Sequence, residues 1–308
     1  MTAAGDAIGI IGTGWVGSSV AISTLHTGVA SELLLHDVRA GIAEGEAMDL
    51  SHGSSFYPAA TVRSAGIEEM RDTRAVVVAA GRGGTPGQSR LDLLRDNAAL
   101  ARDLGAHLRD YRGIVIVVTN PVDVLTFVIQ RASGLPPERV IGTGTMLDTA
   151  RLRQVLGREL ALEPRSIHAQ VVGEHGDSEV VLWSGAQAGG VPLRRWPGWT
   201  RDKEERVAHE VRRAAYEIIR RKGATNHAIG LVTAMLLRWM LRGERRVLTV
   251  SRVQPDEAGL GAVALSLPVV VGDNGATGVL QPAMDDAERA ALERSAAVLR
   301  EAIASIGA

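Results

Sequence analysis

The residues best suited to chemistry lie in short polar segments in the second half of the chain. His175 stands in the segment GEHGD, and Asp148 and Arg151 stand three residues apart in LDTAR, a spacing that puts them on neighbouring faces of a helix. A histidine titrates near working pH and can move a proton, a carboxylate can fix its tautomer, and an arginine can bind a substrate carboxylate with two hydrogen bonds. Taken singly, the same residues also fit ordinary roles as a loop histidine and an ion pair on a helix surface.

Two further segments place polar groups beside apolar runs. Asn120 follows the run IVIVV, which puts it at the carboxyl end of a predicted strand, the edge where open sheets bind ligands. An asparagine there also fits a simple turn. The segment AGRGGTPGQSR, residues 80–90, follows another β-forming run. It contains four glycines and two arginines, Arg82 and Arg90. Such a segment predicts a flexible loop.

The N-terminal segment predicts a dinucleotide-binding turn. The run AIGII leads into GTGWVG, in which Gly12 permits a tight turn, Gly14 lets a pyrophosphate approach the main chain and Gly17 lets the helix pack on the strand. Asp37 ends a second apolar run twenty residues after Gly17, where an acid accepts hydrogen bonds from ribose hydroxyls and repels a 2′-phosphate. Together these features predict NAD rather than NADP, although each alone would also fit a turn or a strand end.

Short apolar runs alternate with helical patterns over the first half of the chain. Strands are predicted at residues 7–11, 32–36, 75–79 and 114–119, and helices at 15–27, 42–50, 91–109 and 122–132. Strands that are apolar on both faces and separated by helices form parallel sheets covered on both sides. We therefore expect an α/β fold with a Rossmann-type, doubly wound parallel sheet.

The pattern changes after about residue 142. Helices are predicted at residues 147–160, 204–221, 228–241 and 284–303, and strands at 167–172, 247–251 and 269–271. We expect two domains, an NAD-binding Rossmann domain at residues 1–142 and an α+β substrate domain at residues 143–308. Ligands often bind at such a junction.

Composition limits the classes of partner. The chain has 308 residues, a net charge of -1 and 45% hydrophobic residues, so it can bury a large core and lacks the basic surplus of a nucleic-acid binder. No apolar run approaches the roughly 18 residues of a membrane span. The chain has no cysteine, which excludes disulfides and thiolate metal sites, and we expect no metal centre. The N-terminus lacks the basic region of a signal peptide, so a cytoplasmic protein is expected.

Six segments resemble, in order and approximate spacing, those of the lactate/malate dehydrogenase family. They span nearly the whole chain: GTGWVGSS, LHDV followed by GEAMDLSHG, VVTNPVDVLT, GTGTMLDTARLRQVL, VVGEHGDSE and KGATNHAIG. The GTGT before MLDTAR is more similar to the lactate-type branch of bacterial enzymes than to the malate-type branch. The resemblance implies a Rossmann domain followed by a mixed substrate domain, a dimer or tetramer, and reversible hydride transfer between NAD and a 2-hydroxy or 2-oxo acid.

The resemblance also implies residue roles. His175 would be the general acid and base, Asp148 its partner, and Arg151 the group that binds the substrate carboxylate. Asn120 would hydrogen-bond near the reacting oxygen and beside the cofactor, and Thr225 in KGAT would line the substrate and nicotinamide pocket. NAD would be bound by Gly12, Gly14, Gly17 and Asp37.

In the family, the segment at residues 80–90 is a loop that closes over the substrate; we call it the lid. Arg90 would polarise the reacting carbonyl, an interaction that strengthens as charge develops on the oxygen. Aligned on Pro86, Gly87 and Arg90, the position that is usually Gln in lactate dehydrogenases and Arg in malate dehydrogenases is Gly84. A malate β-carboxylate would lack its cation there, and an unpaired buried charge is costly.

The missing side chain leaves room for a substrate bulkier than lactate. Ala214 and Ala215 would add to that room, so a branched or aromatic 2-oxo acid is expected to fit. The alternative is that the glycine-rich lid shifts to bring Arg82 inward, which would restore malate dehydrogenase activity.

Other hypotheses remain at this stage. Arg153 and His168 match the positions at which lactate-type bacterial enzymes bind a sugar bisphosphate activator at a subunit interface, so such an effector is a hypothesis. A non-catalytic NAD-binding protein is the alternative of another class. NAD-dependent glycosidases fit poorly because they need a metal ligated partly by cysteine.

Overall fold

A nine-stranded sheet forms the centre of the molecule. The computed structural model describes residues 6–84, 87–254 and 259–307. Six strands run parallel in the order β3-β2-β1-β4-β5-β6. Their bounds are β1 Asp6–Ile11, β2 Ala30–His36, β3 Thr61–Ser64, β4 Ala75–Val78, β5 Ile114–Val117 and β6 Val140–Gly142.

Helices cover both faces of this sheet because the strands are apolar on both faces. Alternate residues of one strand serve different cores, so that Ile10 faces one cluster and Ile11 the other. The first four helices are α1 Trp15–Thr27, α2 Ala40–His52, α3 Arg90–His107 and α4 Val122–Ser133. Helices α1 and α2 cover one face, and α3 and α4 cover the opposite face. The Rossmann-type parallel sheet predicted from the sequence is confirmed.

The second half of the chain adds four helices and continues the same sheet. The helices are α5 Met146–Leu160, α6 Arg201–Lys222, α7 His227–Leu241 and α8 Asp286–Ser305. Between α5 and α6 lie short strands, β7 Ile167–His168, β8 Val171–Val172, β9 Val180–Val181, β10 Gln187–Ala188 and β11 Val191–Pro192. Three antiparallel strands then extend the sheet beyond β6, namely β12 Arg246–Val253, β13 Ala264–Gly272 and β14 Gly275–Val279.

Several elements differ from the sequence prediction. Six strands were not predicted, namely β3, β6, β9, β10, β11 and β14; β3 is a half-exposed edge strand, β6 has three residues, and β9, β10 and β11 have two residues each. Residues 167–172 form two strands instead of one, since β7 pairs with β10 and β8 pairs with β9 in separate sheets. The sheet also runs through the predicted boundary at residue 142, where Gly142 pairs with Ser251 of β12. The division into residues 1–142 and 143–308 therefore stays a prediction.

Within the described ranges, no helix is both long enough and apolar enough to cross a bilayer.

Candidate active site

A buried carboxylate, a histidine and an arginine meet where α5 faces the loop after β8. Asp148 lies in the first turn of α5 and is 2% exposed. Its Oδ2 accepts a hydrogen bond from Nδ1 of His175 at 2.5 Å, and its Oδ1 accepts one from Nη1 of Arg151 at 2.8 Å. With Nδ1 held in this way, Nε2 of His175 is the ring nitrogen left to face a substrate. The structure thus brings together the three residues singled out from the sequence.

Charge around His175 favours its protonated form. Burial alone would lower the pKa of His175, but the charge of Asp148 and its hydrogen bond, with the charge of Asp123 added, raise that pKa to about 9. Arg151 acts in the opposite direction. Although burial disfavours its charged form, the pKa of Asp148 is lowered by the charge of His175, the hydrogen bond to it, and the neighbouring Arg151. His175 therefore holds a proton at neutral pH in the absence of substrate.

Asp123, which the sequence analysis missed, holds the His175 main chain. It lies in the first turn of α4 and is 2% exposed, and its Oδ2 accepts the main-chain N–H of His175 at 2.7 Å. Burial raises the pKa of Asp123 to about 6, against the opposing effects of the nearby Ser251 hydroxyl and the His175 N–H. The signal for this residue was available, because Asp123 is the one acid in the otherwise mostly apolar run VDVLTFVI.

Helix α8 holds the other side of the same loop. The hydroxyl of Ser295, which is fully buried, accepts the main-chain N–H of Glu174 at 2.8 Å and lies 3.1 Å from the Ser178 hydroxyl. Ser178 in turn donates its hydroxyl to the Glu174 carboxylate. The loop at residues 173–178, which we call the histidine loop, is therefore fixed by α4, α5 and α8 together. Sequence reasoning missed Ser295 because it lies more than a hundred residues away.

A second buried acid lies beside this cluster. Glu179 is 5% exposed, and its Oε1 makes no hydrogen bond within the described part of the chain. Burial and the charge of Asp148 raise the pKa of Glu179 to about 8, while Arg212 on α6 lowers it. At neutral pH a protonated Glu179 adds no second negative charge beside Asp148.

Asn120 and Thr225 each lie close in sequence to a residue that ties its segment to another element. Asn120 follows β5, is exposed, and lies three residues before Asp123, the residue that bonds to the histidine loop. Thr225 lies between α6 and α7, next to Asn226, whose amide donates to the Ser19 hydroxyl on α1 at 3.0 Å. The bond ties the Thr225 segment to the helix that begins at the predicted dinucleotide turn.

Most of the described lid residues are exposed, in contrast to the buried acids around His175. Arg90 is the first residue of α3 and is exposed, and it forms no ion pair with any other described residue. Its charge nevertheless reaches Tyr216 on α6, where the hydrogen bond to Asp177 raises the pKa of the phenol and Arg90 lowers it. Because Asp177 lies two residues after His175, Arg90 faces the region of the histidine loop. Gly84 is exposed, and Thr85 and Pro86, which carry part of the family alignment, lie outside the described residues.

The glycines of the lid are of two kinds. Gly87 has φ of 86°, a conformation that favours glycine. At Gly81 a Cβ would collide with the Thr119 side chain, so this glycine permits close packing against the end of β5. A Cβ at Gly84 would meet only Leu93 at 3.4 Å, and one at Gly83 would meet nothing within 4 Å. Either of these last two positions has room for a side chain.

The turn after β1 has the shape that a dinucleotide requires. Gly12 has φ of 93° and packs against the main chain of the Ala79–Ala80 peptide, and a Cβ at Gly17 would collide with the Gly12 carbonyl. Gly14, by contrast, has nothing within 4 Å of a Cβ position, and no side chain caps the N-terminus of α1 that it begins. An open cradle at a helix N-terminus fits a pyrophosphate.

Asp37 lies at the ribose edge of this cradle. Its Oδ2 accepts the main-chain N–H of Thr13 at 3.1 Å, and its Oδ1 accepts that of Arg39 at 3.0 Å. The acid is therefore fixed against the glycine turn, with its position set for ribose hydroxyls. These residues fit NAD.

The predicted effector residues share a separate cavity of about 290 Å³. Arg153 on α5 and His168 at the end of β7 both line it, along with Gln170 and Gln187. Nε of Arg153 donates to the Ala169 carbonyl at 3.1 Å, and burial lowers the pKa of this guanidinium. A partly desolvated cation with no ion pair in the described ranges is a favourable place for an anion.

Fold and geometry together define a class. A dinucleotide cradle with an acid at its ribose edge follows β1 and β2 of the central sheet, and a buried carboxylate that pairs with a histidine lies on α5, the helix that follows β6 of that sheet. This combination is that of an NAD-dependent dehydrogenase in which a histidine exchanges a proton with the substrate.

Comparisons with known proteins identify the family. The description "lactate/malate dehydrogenase, NAD binding domain" matches residues 7–142, and "lactate/malate dehydrogenase, alpha/beta C-terminal domain" matches residues 145–308. The chain belongs to the lactate/malate dehydrogenase family, as its sequence motifs predicted, and it binds NAD. 

Relatives resemble the chain over nearly its full length. The L-lactate dehydrogenase of Thermus aquaticus is 45% identical over 307 residues, which covers 97% of this chain and 99% of that protein. That of Moorella thermoacetica is 43% identical over 307 residues, with 97% of each chain covered. The crystal structure of the minor L-lactate dehydrogenase from Enterococcus mundtii in its ligand-bound form has a TM-score of 0.95 at 38% identity and covers 98% of both chains.

Proposed function

We propose that this chain, an NAD-dependent L-2-hydroxyacid dehydrogenase of the lactate type, takes a 2-oxo acid with a side chain bulkier than the methyl group of pyruvate. The observation that supports the proposal is Gly84. The lid presents no side chain at this position, and the site has room for one, since a Cβ there would meet only Leu93. Ala214 and Ala215 on α6 are half-buried and small.

The proposed roles follow from the geometry of the ligand-free site. His175 gives its Nε2 proton to the carbonyl oxygen during reduction and accepts it from the alcohol during oxidation. Asp148 keeps the ring oriented through Nδ1 and stabilises its charged form. NAD supplies or accepts the hydride when it is bound.

The remaining groups bind and polarise the substrate. Arg151, held by Asp148, binds the substrate carboxylate with its remaining donors. Asn120 donates to the reacting oxygen, and Thr225 lines the pocket beside α1. Arg90 polarises the same oxygen when the lid closes over it, and closure excludes water.

The structure also bears on malate as the alternative substrate. Arg82, the nearest cation to Gly84 in the sequence, has its main-chain N–H bonded to Oδ1 of Asn97 at 2.7 Å, and Asn97 is only 3% exposed. The Arg82 guanidinium lies 4.0 Å from Asp96 on α3. A shift of the lid main chain that carried Arg82 inward would break the bond to buried Asn97, and this cost disfavours a dicarboxylate.

A substrate panel tests this proposal. Values of kcat/KM with NADH are to be measured for pyruvate, 2-oxoisocaproate, phenylpyruvate and oxaloacetate. The proposal predicts that 2-oxoisocaproate or phenylpyruvate exceeds pyruvate, and that all three exceed oxaloacetate. Oxaloacetate turnover above the others by orders of magnitude would establish malate dehydrogenase instead.

A sugar bisphosphate is the proposed effector at the cavity of Arg153 and His168. Titration with fructose 1,6-bisphosphate is expected to lower KM for the oxo acid in the wild type and to have no effect in an Arg153→Gln/His168→Gln double variant. Equal responses of the two proteins, or no response of the wild type, would rule out this site.

We also propose a homo-oligomer, a dimer or tetramer. Large apolar side chains are exposed on α1, α2 and the turn that follows α2, including Trp15, Met48 and Phe56, the last of them 84% exposed. Trp15 and Phe56 line a cavity of about 690 Å³ that also reaches the start of α7. Light scattering is expected to show a mass above the monomer that falls with Phe56→Glu and not with Val298→Glu on the exposed face of α8. The cytoplasmic location stays a prediction.

A further inference from the structure

His175 is held through its main chain as well as through its ring. The ring bonds to Asp148 on α5, whereas the main-chain N–H bonds to Oδ2 of Asp123 on α4 at 2.7 Å. Asp123 is 2% exposed, and its Oδ1 has no hydrogen-bond partner within the described residues. A carboxylate so deeply buried is costly unless it is compensated, and the facing histidine supplies the nearest positive charge.

Asp123 also connects two parts of the site. It lies three residues after Asn120, in the first turn of α4, where the helix dipole favours a negative charge. The main chain between them is short and begins a helix, so displacement of one residue moves the other. The bond from Asp123 to His175 thus links the segment that carries the proposed oxygen-binding amide to the proposed proton donor.

Four titratable groups face His175. Asp148 and Arg151 come from α5, Asp123 comes from α4, and Glu179 follows the histidine loop. Asp148 bonds to the ring directly, and Arg151 opposes it, so the charge of Asp123 is the second negative contribution. Because burial raises the pKa of Asp123 only to about 6, its carboxylate is ionised throughout the range in which His175 titrates.

We propose that Asp123 is a positioning residue for the reaction: its carboxylate fixes the histidine loop against the Asn120 segment, and its charge stabilises protonated His175. The inference rests on the role proposed above for His175. It assigns Asp123 two separable effects, one of geometry and one of charge. Loss of the hydrogen bond to the His175 main chain lowers kcat, and loss of the Asp123 charge changes the pH at which His175 loses its proton.

A purely structural anchor of the same loop is available for comparison. Ser295 accepts the main-chain N–H of Glu174, the residue before His175, and carries no charge. Replacing Ser295 by Ala loosens the loop from the α8 side but leaves every charge near His175 in place. A role in loop support alone should therefore give the same pattern for Asp123 and Ser295 variants.

The test is the pH profile of kcat/KM for oxo-acid reduction in the wild type, Asp123→Asn, Asp123→Glu and Ser295→Ala. Asp123→Asn retains an acceptor oxygen and removes the charge, so its alkaline inflection is expected to move to lower pH by about one unit. Asp123→Glu keeps the charge and disturbs the hydrogen bond, so kcat should fall several-fold with the inflection unchanged. Ser295→Ala should also leave the inflection unchanged.

Three results would overturn the proposal. The Asp123→Asn profile could superimpose on that of the wild type, or Ser295→Ala could move the inflection as far as Asp123→Asn does. If Asp123→Asn does not fold, as judged by NADH binding and thermal unfolding, full kcat in Asp123→Glu would count against the proposal. Undiminished turnover in His175→Asn would instead remove the proposed role of His175, a failure distinguishable from the others.

Discussion

The histidine loop and the lid differ in how much of their geometry exists before a ligand binds. In the loop, His175 is bonded through its ring to Asp148 and through its main chain to Asp123, and both acids are 2% exposed. In the lid, Arg90 is exposed and unpaired among the described residues, and Gly84 presents no side chain. The proposed proton-transfer group is thus held in the protein interior before any ligand binds, whereas the proposed determinant of substrate choice lies in an exposed surface segment.

The largest effect on kcat is expected from a change in the histidine loop. Changing His175 to Asn removes the group proposed to move the proton, so kcat should fall by about 10²- to 10⁴-fold for every oxo acid alike. The matched control is His107→Asn, since His107 lies at the exposed end of α3 and, within the described ranges, pairs with Glu68 alone. Steady-state kinetics check both variants; a substrate-dependent loss at His175 would show that the residue selects substrates instead.

On the lid side, Arg90→Lys is expected to reduce kcat by about 10²- to 10³-fold, because a point charge would replace the planar guanidinium proposed to polarise the carbonyl. The KM for NADH should stay unchanged, since the dinucleotide cradle lies on α1. Arg95→Lys, an exposed change on the same helix, serves as the control. Equal kinetics for the two variants would mean that Arg90 does not reach the substrate.

Substrate choice should respond to Gly84 alone. Gly84→Arg supplies a cation at the side-chain end of the pocket, so the ratio of kcat/KM for oxaloacetate to that for pyruvate is expected to rise by about 10- to 200-fold. The same ratio measured in Gly83→Arg should stay near the wild-type value, since a side chain at Gly83 enters open space. A similar rise of this ratio in both variants would show that the effect comes from the net charge of the lid and not from the position of Gly84.

The smallest predicted effect is the pH response of the wild type. Its His175 has a pKa raised to about 9, so the protonated form persists below that pH and is lost above it. For reduction, kcat/KM should therefore be nearly flat from pH 7 to 9 and fall about tenfold for each further pH unit, while oxidation rises through the same range. An inflection near 6.5, the ordinary pKa of histidine, would show that Asp148 and Asp123 do not act on the ring.

The sequence alone predicted the candidate site residues better than it predicted the residues that hold them in place. Gly12, Asp37, Asp148 and His175 lie in short motifs whose local spacing encodes a turn or a helix face. Asp123 acts through a bond to a residue 52 positions away, and Ser295 through one 121 positions away, so no local pattern reveals either contact.

The fold shows the same limit. The helices were predictable from periodicity, and α1 Trp15–Thr27 has the predicted bounds. The continuation of the sheet through β12 was not, because one pair, Ser251 with Gly142, connects the parallel and antiparallel parts of the sheet, and no local sequence pattern predicts that pair. Long-range pairing depends on the packed structure rather than on any one segment.

The central claim is that the histidine loop sets the pH dependence of the reaction and the lid sets substrate choice. Its most direct test is the ratio of kcat/KM for 2-oxoisocaproate to that for pyruvate, measured against pH in the wild type and in Gly84→Gln. We predict a wild-type ratio above one that falls by about 10- to 200-fold in Gly84→Gln, with the alkaline inflection at the same pH in both proteins. An unchanged ratio, or an inflection that moves with Gly84, would contradict the account.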